Sequence, residues 1–144
     1  MLFQSGEAEQ ALQKGDYPSA LAAAERAANE GARVFGADHP NTAAAYNLIA
    51  AAFLRQGKFG EAEANFRKVL ASYEKHLGAS HEYTAAALNN LALVLERLGD
   101  YTGAETLLRR SLGILEAKLG KQHPDTATTL SNLSRVLEIG RAHV

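Results

Sequence analysis

Cysteine is absent from the 144 residues, so there is no disulfide framework, no thiolate metal site and no cysteine nucleophile. That usage fits a reducing compartment and makes the cytoplasm the expected location. Tryptophan is also missing, and proline occurs only three times, leaving little to interrupt helices. Neither sign of charge dominates: 15 Lys+Arg against 16 Asp+Glu leave a net charge of -1. A chain so balanced has no broad field to attract nucleic acid or an anionic membrane, and neither is expected as a partner. No run approaches the roughly eighteen consecutive apolar residues of a membrane span. Met1-Leu2-Phe3-Gln4-Ser5 lacks the basic start and apolar stretch of a signal peptide. A Gly-rich phosphate loop, a serine nucleophile turn and a His-Glu-x-x-His zinc motif are missing as well. No catalytic, cofactor-binding or metal-binding residue is therefore assigned, and catalysis is not expected.

Alanine is plentiful, with 28 copies, and it is both the best helix former and a small packing residue. Closely packed helices are the expectation. Shifting the chain on itself by 42 residues aligns His39, His81 and His123, then Gly36, Gly78 and Gly120, then Gly15, Gly57 and Gly99. Between residues 39–78 and 81–120, 16 of 40 positions are identical, Thr42/Thr84, Asn47/Asn89 and Arg55/Arg97 among them. A fixed period of this length marks a repeat architecture.

Each repeat holds two helical patterns separated by glycine. The first is predicted from about Pro40 to Gln56, where Tyr46, Ile49, Ala50 and Phe53 follow the spacing of one helix face. Gly57 is its expected left-handed end. The second is predicted from Phe59 to Leu77, with Ala62, Phe66, Val69, Leu70 and Tyr73 as its inner stripe. His39-Pro40 makes a suitable start, because proline at the first helical position forfeits no needed donor; Glu82 takes that place in the next repeat. Glu7 to Lys14 reads as a short first helix with Ala8 at the small position.

The run Tyr46-x-x-Ile49-Ala50-x-x-Phe53, then Ala62-x-x-x-Phe66, resembles the tetratricopeptide signature, and Leu88, Leu91, Ala92, Leu95, Ala104 and Leu108 repeat it. A third copy begins at Leu130, Leu133, Ser134 and Leu137. The turn Gly-Asp/Lys-Tyr/Phe-x-x-Ala at Gly15, Gly57 and Gly99 separates it from HEAT and armadillo repeats of similar period. The longer repeat and the connection Leu119-Gly120-Lys121-Gln122-His123-Pro124 are similar to those of kinesin light chains and their bacterial relatives. The resemblance implies an all-α fold, a right-handed superhelical solenoid of antiparallel helix hairpins. The expected divisions are residues 1–36, 37–78 and 79–120 as hairpins and 121–137 as the first helix of a truncated one.

Residues Glu138 to Val144 break the repeat, and their codons can read GAGATCGGAAGAGCACACGTC, which resembles a sequencing-library adapter in frame. Residues 138–144 are accordingly expected to be an artefact and the chain a fragment of a longer protein, and Arg141 and His143 receive no role. The three periodic histidines invite a metal reading, but residues one repeat apart lie about 10 Å per helix layer apart. Bonds of roughly 2.1 Å cannot bridge that, so helix-start capping or packing is expected instead. Glu61, Glu63 and Glu74 alternate with Arg67, Lys68 and Lys75 as surface helix pairs.

The resemblance further implies a concave groove lined by the first helix of each repeat. Its expected positions are Ala44, Asn47, Ala51, Leu54 and Arg55, then Ala86, Asn89, Leu93, Glu96 and Arg97, then Thr128, Ser131 and Arg135. Asn47, Asn89 and Ser131 form a ladder one repeat apart, and the carboxamides of its asparagines suit either an extended peptide backbone or a carbonyl of a neighbouring helix; Asn90 and Asn132 are read as structural. Arg55, Arg97 and Arg135 suit acidic side chains of a ligand, with ordinary solvated arginines the equal alternative. The expected function is a protein-interaction adaptor holding an extended peptide, acidic in one form of this reading. Two alternatives stand beside it: the sensor arm of a larger signalling protein containing an NTPase or protease, and a kinesin-light-chain-like cargo adaptor. Self-association through the truncated terminal repeat is a further expectation, because a cut array exposes an apolar face.

Overall fold

The computed structural model describes residues 5–143. Met1 to Gln4 of the first expected hairpin and Val144 of the tail lie outside the described residues. Among those described there are seven α-helices and no strand: α1 Ser5–Gln13, α2 Tyr17–Phe35, α3 Pro40–Arg55, α4 Phe59–His76, α5 Glu82–Arg97, α6 Tyr101–Leu119 and α7 Pro124–Ala142. They form two compact units, Met1–His76 with α1 to α4 and Leu77–Val144 with α5 to α7.

The glycine turns explain where the helices stop. Gly57 and Gly99 stand at φ +77 and +87, a conformation glycine adopts without a Cβ penalty. That geometry lets Gly57 N–H reach the Leu54 carbonyl and Lys58 N–H the Phe53 carbonyl, at 3.0 and 2.9 Å, so the last carbonyls of α3 are satisfied. Asp100 N–H makes the same long reach to the Leu95 carbonyl at 2.8 Å, and the Asp100 carboxylate then caps α6 by accepting from Gly103 N–H at 2.9 Å. One turn thus ends a helix and starts the next.

The periodic histidines cap helices, as expected. Nδ1 of His39, His81 and His123 accepts from the backbone N–H of Asn41, Tyr83 and Asp125 at 3.0, 2.9 and 3.1 Å. His76, at the end of α4, packs its ring 5.8 Å from that of His39.

In the first unit the core is built largely of alanine. Ala8, Ala23, Ala24, Ala27, Ala28 and Ala45 surround Ile49, with Tyr46 and Phe53 packed against them. Small side chains bring α2 against α3 so closely that a Cβ on Gly31 would lie 2.9 Å from Thr42 Oγ1. Phe66 and Val69 of α4 are buried at 3% and 1% exposure, each burial contributing about 1.5–3 kcal/mol before entropy is counted. Tyr73 is half-buried, and the neighbouring Ser72 is the fully covered residue, donating to the Asp38 carbonyl at 2.6 Å.

The second unit uses larger side chains. Leu88, Leu91 and Leu108 are fully buried, and Ala92, Leu95 and Ala104 join Leu133 and Val136 in one cluster. Buried hydroxyls fasten the connections: Thr84 Oγ1 donates to the Gly78 carbonyl at 2.7 Å, as Thr42 does to Gly36 in the first unit. Ser111 ties α6 to the Ala85 carbonyl at 3.0 Å.

Helix α7 departs from the expected pattern in two ways. It runs on through Ala142, across Gly140, because a single glycine costs a helix only about 1 kcal/mol and does not stop it. A Cβ at Gly140 would sit 3.5 Å from Tyr101 Cβ, so the helix here lies close to α6. Leu130, the counterpart of buried Leu88, is 52% exposed. Whereas α5 is followed by α6, no helix follows α7 among the described residues.

Candidate functional site: a groove between α5 and α7

In the second unit a cavity of about 750 Å³ opens along α5 and α7. From α5 it is lined by Glu82, Tyr83, Ala86, Asn89, Asn90, Leu93, Glu96 and Arg97. Their spacing of three and four residues places them on one face of that helix. Asp125, Thr128, Asn132 and Arg135 line it from α7 by the same spacing, and Leu108, Leu115 and Leu119 of α6 supply apolar wall. The groove therefore has an apolar side for ligand carbon and helix-borne polar groups to orient it, the usual composition of a binding cleft.

The expected groove residues separate into distinct roles. Ala86, Asn89, Leu93, Arg97, Thr128 and Arg135 line the cavity, as does Glu96. Ser131 is exposed on α7 and is not among the lining residues; the cavity is lined by the next residue, Asn132, together with Asn90 of α5. These two carboxamides, expected to be structural, line the cavity beside Asn89 of the ladder. A helix advances 100° per residue, so a step of one position moves a side chain across the edge of a groove, and residue type gives no sign of it.

Asn89 faces the neighbouring helix. Its Nδ2 donates to Thr129 Oγ1 at 2.9 Å and Thr129 Oγ1 donates to the Asp125 carbonyl at 3.0 Å, so this amide fastens α5 to α7. Its Oδ1 is buried without a partner among the described residues. Arg135 is likewise engaged: its guanidinium meets Glu96 in a forked pair at 2.8 and 3.2 Å and reaches Asn132 Oδ1 at 3.1 Å. The bonds to Glu96 hold its pKa above the ordinary arginine value. An acidic ligand approaching Arg135 has to compete with Glu96. Arg97 makes no ion pair or hydrogen bond among the described residues, and it is exposed at the end of α5.

Ala44, Asn47, Ala51 and Leu54 are half-buried on α3. Ala51 packs against the cluster of Leu12, Ala20 and Ala52. Arg55 is exposed but occupied, donating from Nη1 to the Leu12 carbonyl at 3.0 Å and so satisfying the end of α1. Of the expected surface pairs along α4, Glu63 pairs with Arg67 at 2.7 Å, whereas Lys75 pairs not along the helix but with Asp38 of the α2–α3 connection. Among the described residues no group of three or more histidines and carboxylates is placed to hold a metal ion, and no helix is long and apolar enough to cross a membrane.

Hairpins of this construction, with alternating small and large positions and a lined face on the first helix, define a repeat scaffold for protein–protein interaction. The tetratricopeptide repeat model matches residues 2–75 and 83–143, and the chain belongs to that family. Its repeats are of the kinesin-light-chain-like type. A Podosopora anserina protein described as having kinesin light chain nearly identical TPR-like repeats superposes with a TM-score of 0.84 at 25% identity. That alignment covers 92% of this chain and 63% of the other. BtubC (BKLC) from P. vanneervenii shares the fold, with a TM-score of 0.83 at 20% identity over 92% of this chain and 52% of its own. The chain thus spans 63% and 52% of the lengths of these two structures. No curated protein sequence matches it.

Proposed function

We propose that this chain is an adaptor that binds an extended peptide segment of a partner protein in the groove between α5 and α7. The observation that carries the reading is the groove itself, about 750 Å³ with leucine wall on one side and the polar side chains of Asn90, Asn132 and Arg97 among its lining residues. Glu82 and Arg97 stand fifteen residues apart on one helix, which is about 22 Å at roughly 1.5 Å per residue. A strand-like peptide rising about 3.3 Å per residue spans that in about seven residues. The function is binding without catalysis, in the cytoplasm, with neither nucleic acid nor membrane as partner. The kinesin-light-chain-like repeat type favours a second reading, a cargo adaptor of that kind, which uses the same groove.

The test is to screen the purified chain against immobilised peptides of seven randomised residues and repeat the screen with Leu93→Arg, which places a charged, bulky side chain in the groove. The reading expects retained peptides to be lost with Leu93→Arg while the helical circular dichroism is unchanged. Peptides retained equally by both proteins, or none retained by either, overturn it.

A further inference from the structure

The charges along the groove are not evenly spread. Glu82, the first residue of α5, and Asp125, in the first turn of α7, stand at one end of the two lining helices. Arg97, the last residue of α5, stands at the other. Near that end Glu96 and Arg135 neutralise one another, whereas the Arg97 guanidinium has no ion-pair partner among the described residues. One end of the groove therefore carries two carboxylates and the other one guanidinium. The helix dipole accounts for an acid in the first turn of each helix and a cation in the last. It does not account for both helices presenting these groups to one cavity with leucine wall between them.

Resting on the peptide reading above, we infer that the groove takes an extended peptide of split charge: a lysine or arginine side chain lies against Glu82 and Asp125, and a carboxylate lies against Arg97, about seven residues away. Complementary charges at separated points reject wrong partners and fix register more than they add affinity. A uniformly acidic peptide meets Arg97 at one end and is repelled at the other; a uniformly basic peptide meets the opposite mismatch. Because Glu82, Asp125 and Arg97 are all exposed, each pair is screened by salt.

Three immobilised peptide libraries test this, each with five randomised residues between paired end residues: Lys-Lys to Asp-Asp, Asp-Asp at both ends, and Lys-Lys at both ends. The split-charge library is expected to be retained most. Its retention should fall about three- to tenfold with either Arg97→Glu or the double change Glu82→Lys and Asp125→Lys, as expected for exposed ion pairs replaced by like-charge contacts. A preference for the acidic library that ignores Glu82→Lys and Asp125→Lys overturns the split-charge inference and leaves the peptide groove standing. Retention of none of the libraries overturns both. The three positions are exposed helix-end residues, and unchanged circular dichroism of each variant confirms that a loss of retention reflects binding.

Discussion

Replacing Thr84 and Thr126 by valine should move stability in opposite directions, although the two threonines occupy equivalent repeat positions. Both are buried, at 0% and 3% exposure, and both sit in the first turn of a first helix. Valine preserves the branched shape, and its helix propensity matches that of threonine, so packing and propensity cancel in the comparison. What differs is the hydroxyl. Thr84 Oγ1 donates to the Gly78 carbonyl at 2.7 Å, while Thr126 Oγ1 is buried with no partner among the described residues. Thr84→Val removes a hydrogen bond, but the Gly78 carbonyl keeps a long bond from His81 N–H at 3.4 Å. The cost is therefore about 1 kcal/mol, nearer the net value of one bond than the full penalty of an orphaned carbonyl. Thr126→Val removes a buried polar group that gains nothing, and the expected change is a stabilisation of about 1 kcal/mol. Urea unfolding followed by circular dichroism reads both, and the two midpoints should lie on opposite sides of the parent's. Thr84→Val proving as stable as Thr126→Val, or more so, would mean that the two hydroxyls do not differ in their partners as assigned.

Phe66→Ala, which empties a site 3% exposed in the parent, should destabilise the first unit by about 3–5 kcal/mol, measured by the same denaturation. Asn89→Ala should cost about 1 kcal/mol of stability, because the amide bonds Thr129 across two helices; an unchanged midpoint would return Asn89 to the role of a free ligand contact. Arg55→Lys should loosen α1, since a lysine ammonium does not reproduce the placed guanidinium donor at the Leu12 carbonyl, and faster amide exchange in α1 is the readout. The bond from Lys75 holds the Asp38 carboxyl below its ordinary pKa. Its folded-state value is thus depressed, so its contribution is present above the unfolded value of about 3.9 and is lost as pH falls through the lower folded one. Asp38→Asn should flatten that acid limb of thermal stability, and an unaltered limb would remove Asp38 from the account.

Much of the local structure was legible because glycine, proline and helical periodicity act over a few residues. The predicted first and second helices of the middle repeat end within one residue of α3 and α4, since Gly57 and Gly78 must adopt positive φ and only a helix end uses it there. The histidines are legible as helix starts because the period places each just before a first helix. Shape was also legible in kind: alternating small and large residues imply hairpins packed closely, and Ala50 and Ala92 are indeed buried. Where α7 stops was not, since Gly140 taken alone marks a break and its neighbour Tyr101 lies far away in sequence.

The amino-acid sequence by itself determined the period, the hairpins and the face on which a groove would form, because each depends on residues at most one helical turn or one repeat apart. Tertiary structure alone decided what each groove residue does. Asn89 and Asn90 are adjacent, chemically identical and both line the cavity, yet it is Asn89 whose amide also fastens α5 to α7 through Thr129. Arg55, Arg97 and Arg135 are the same residue type at periodic positions, yet the first caps a carbonyl, the second is left open and the third is held by Glu96. Such differences arise from partners some 40 residues away, whose distance and direction are set only when the helices pack.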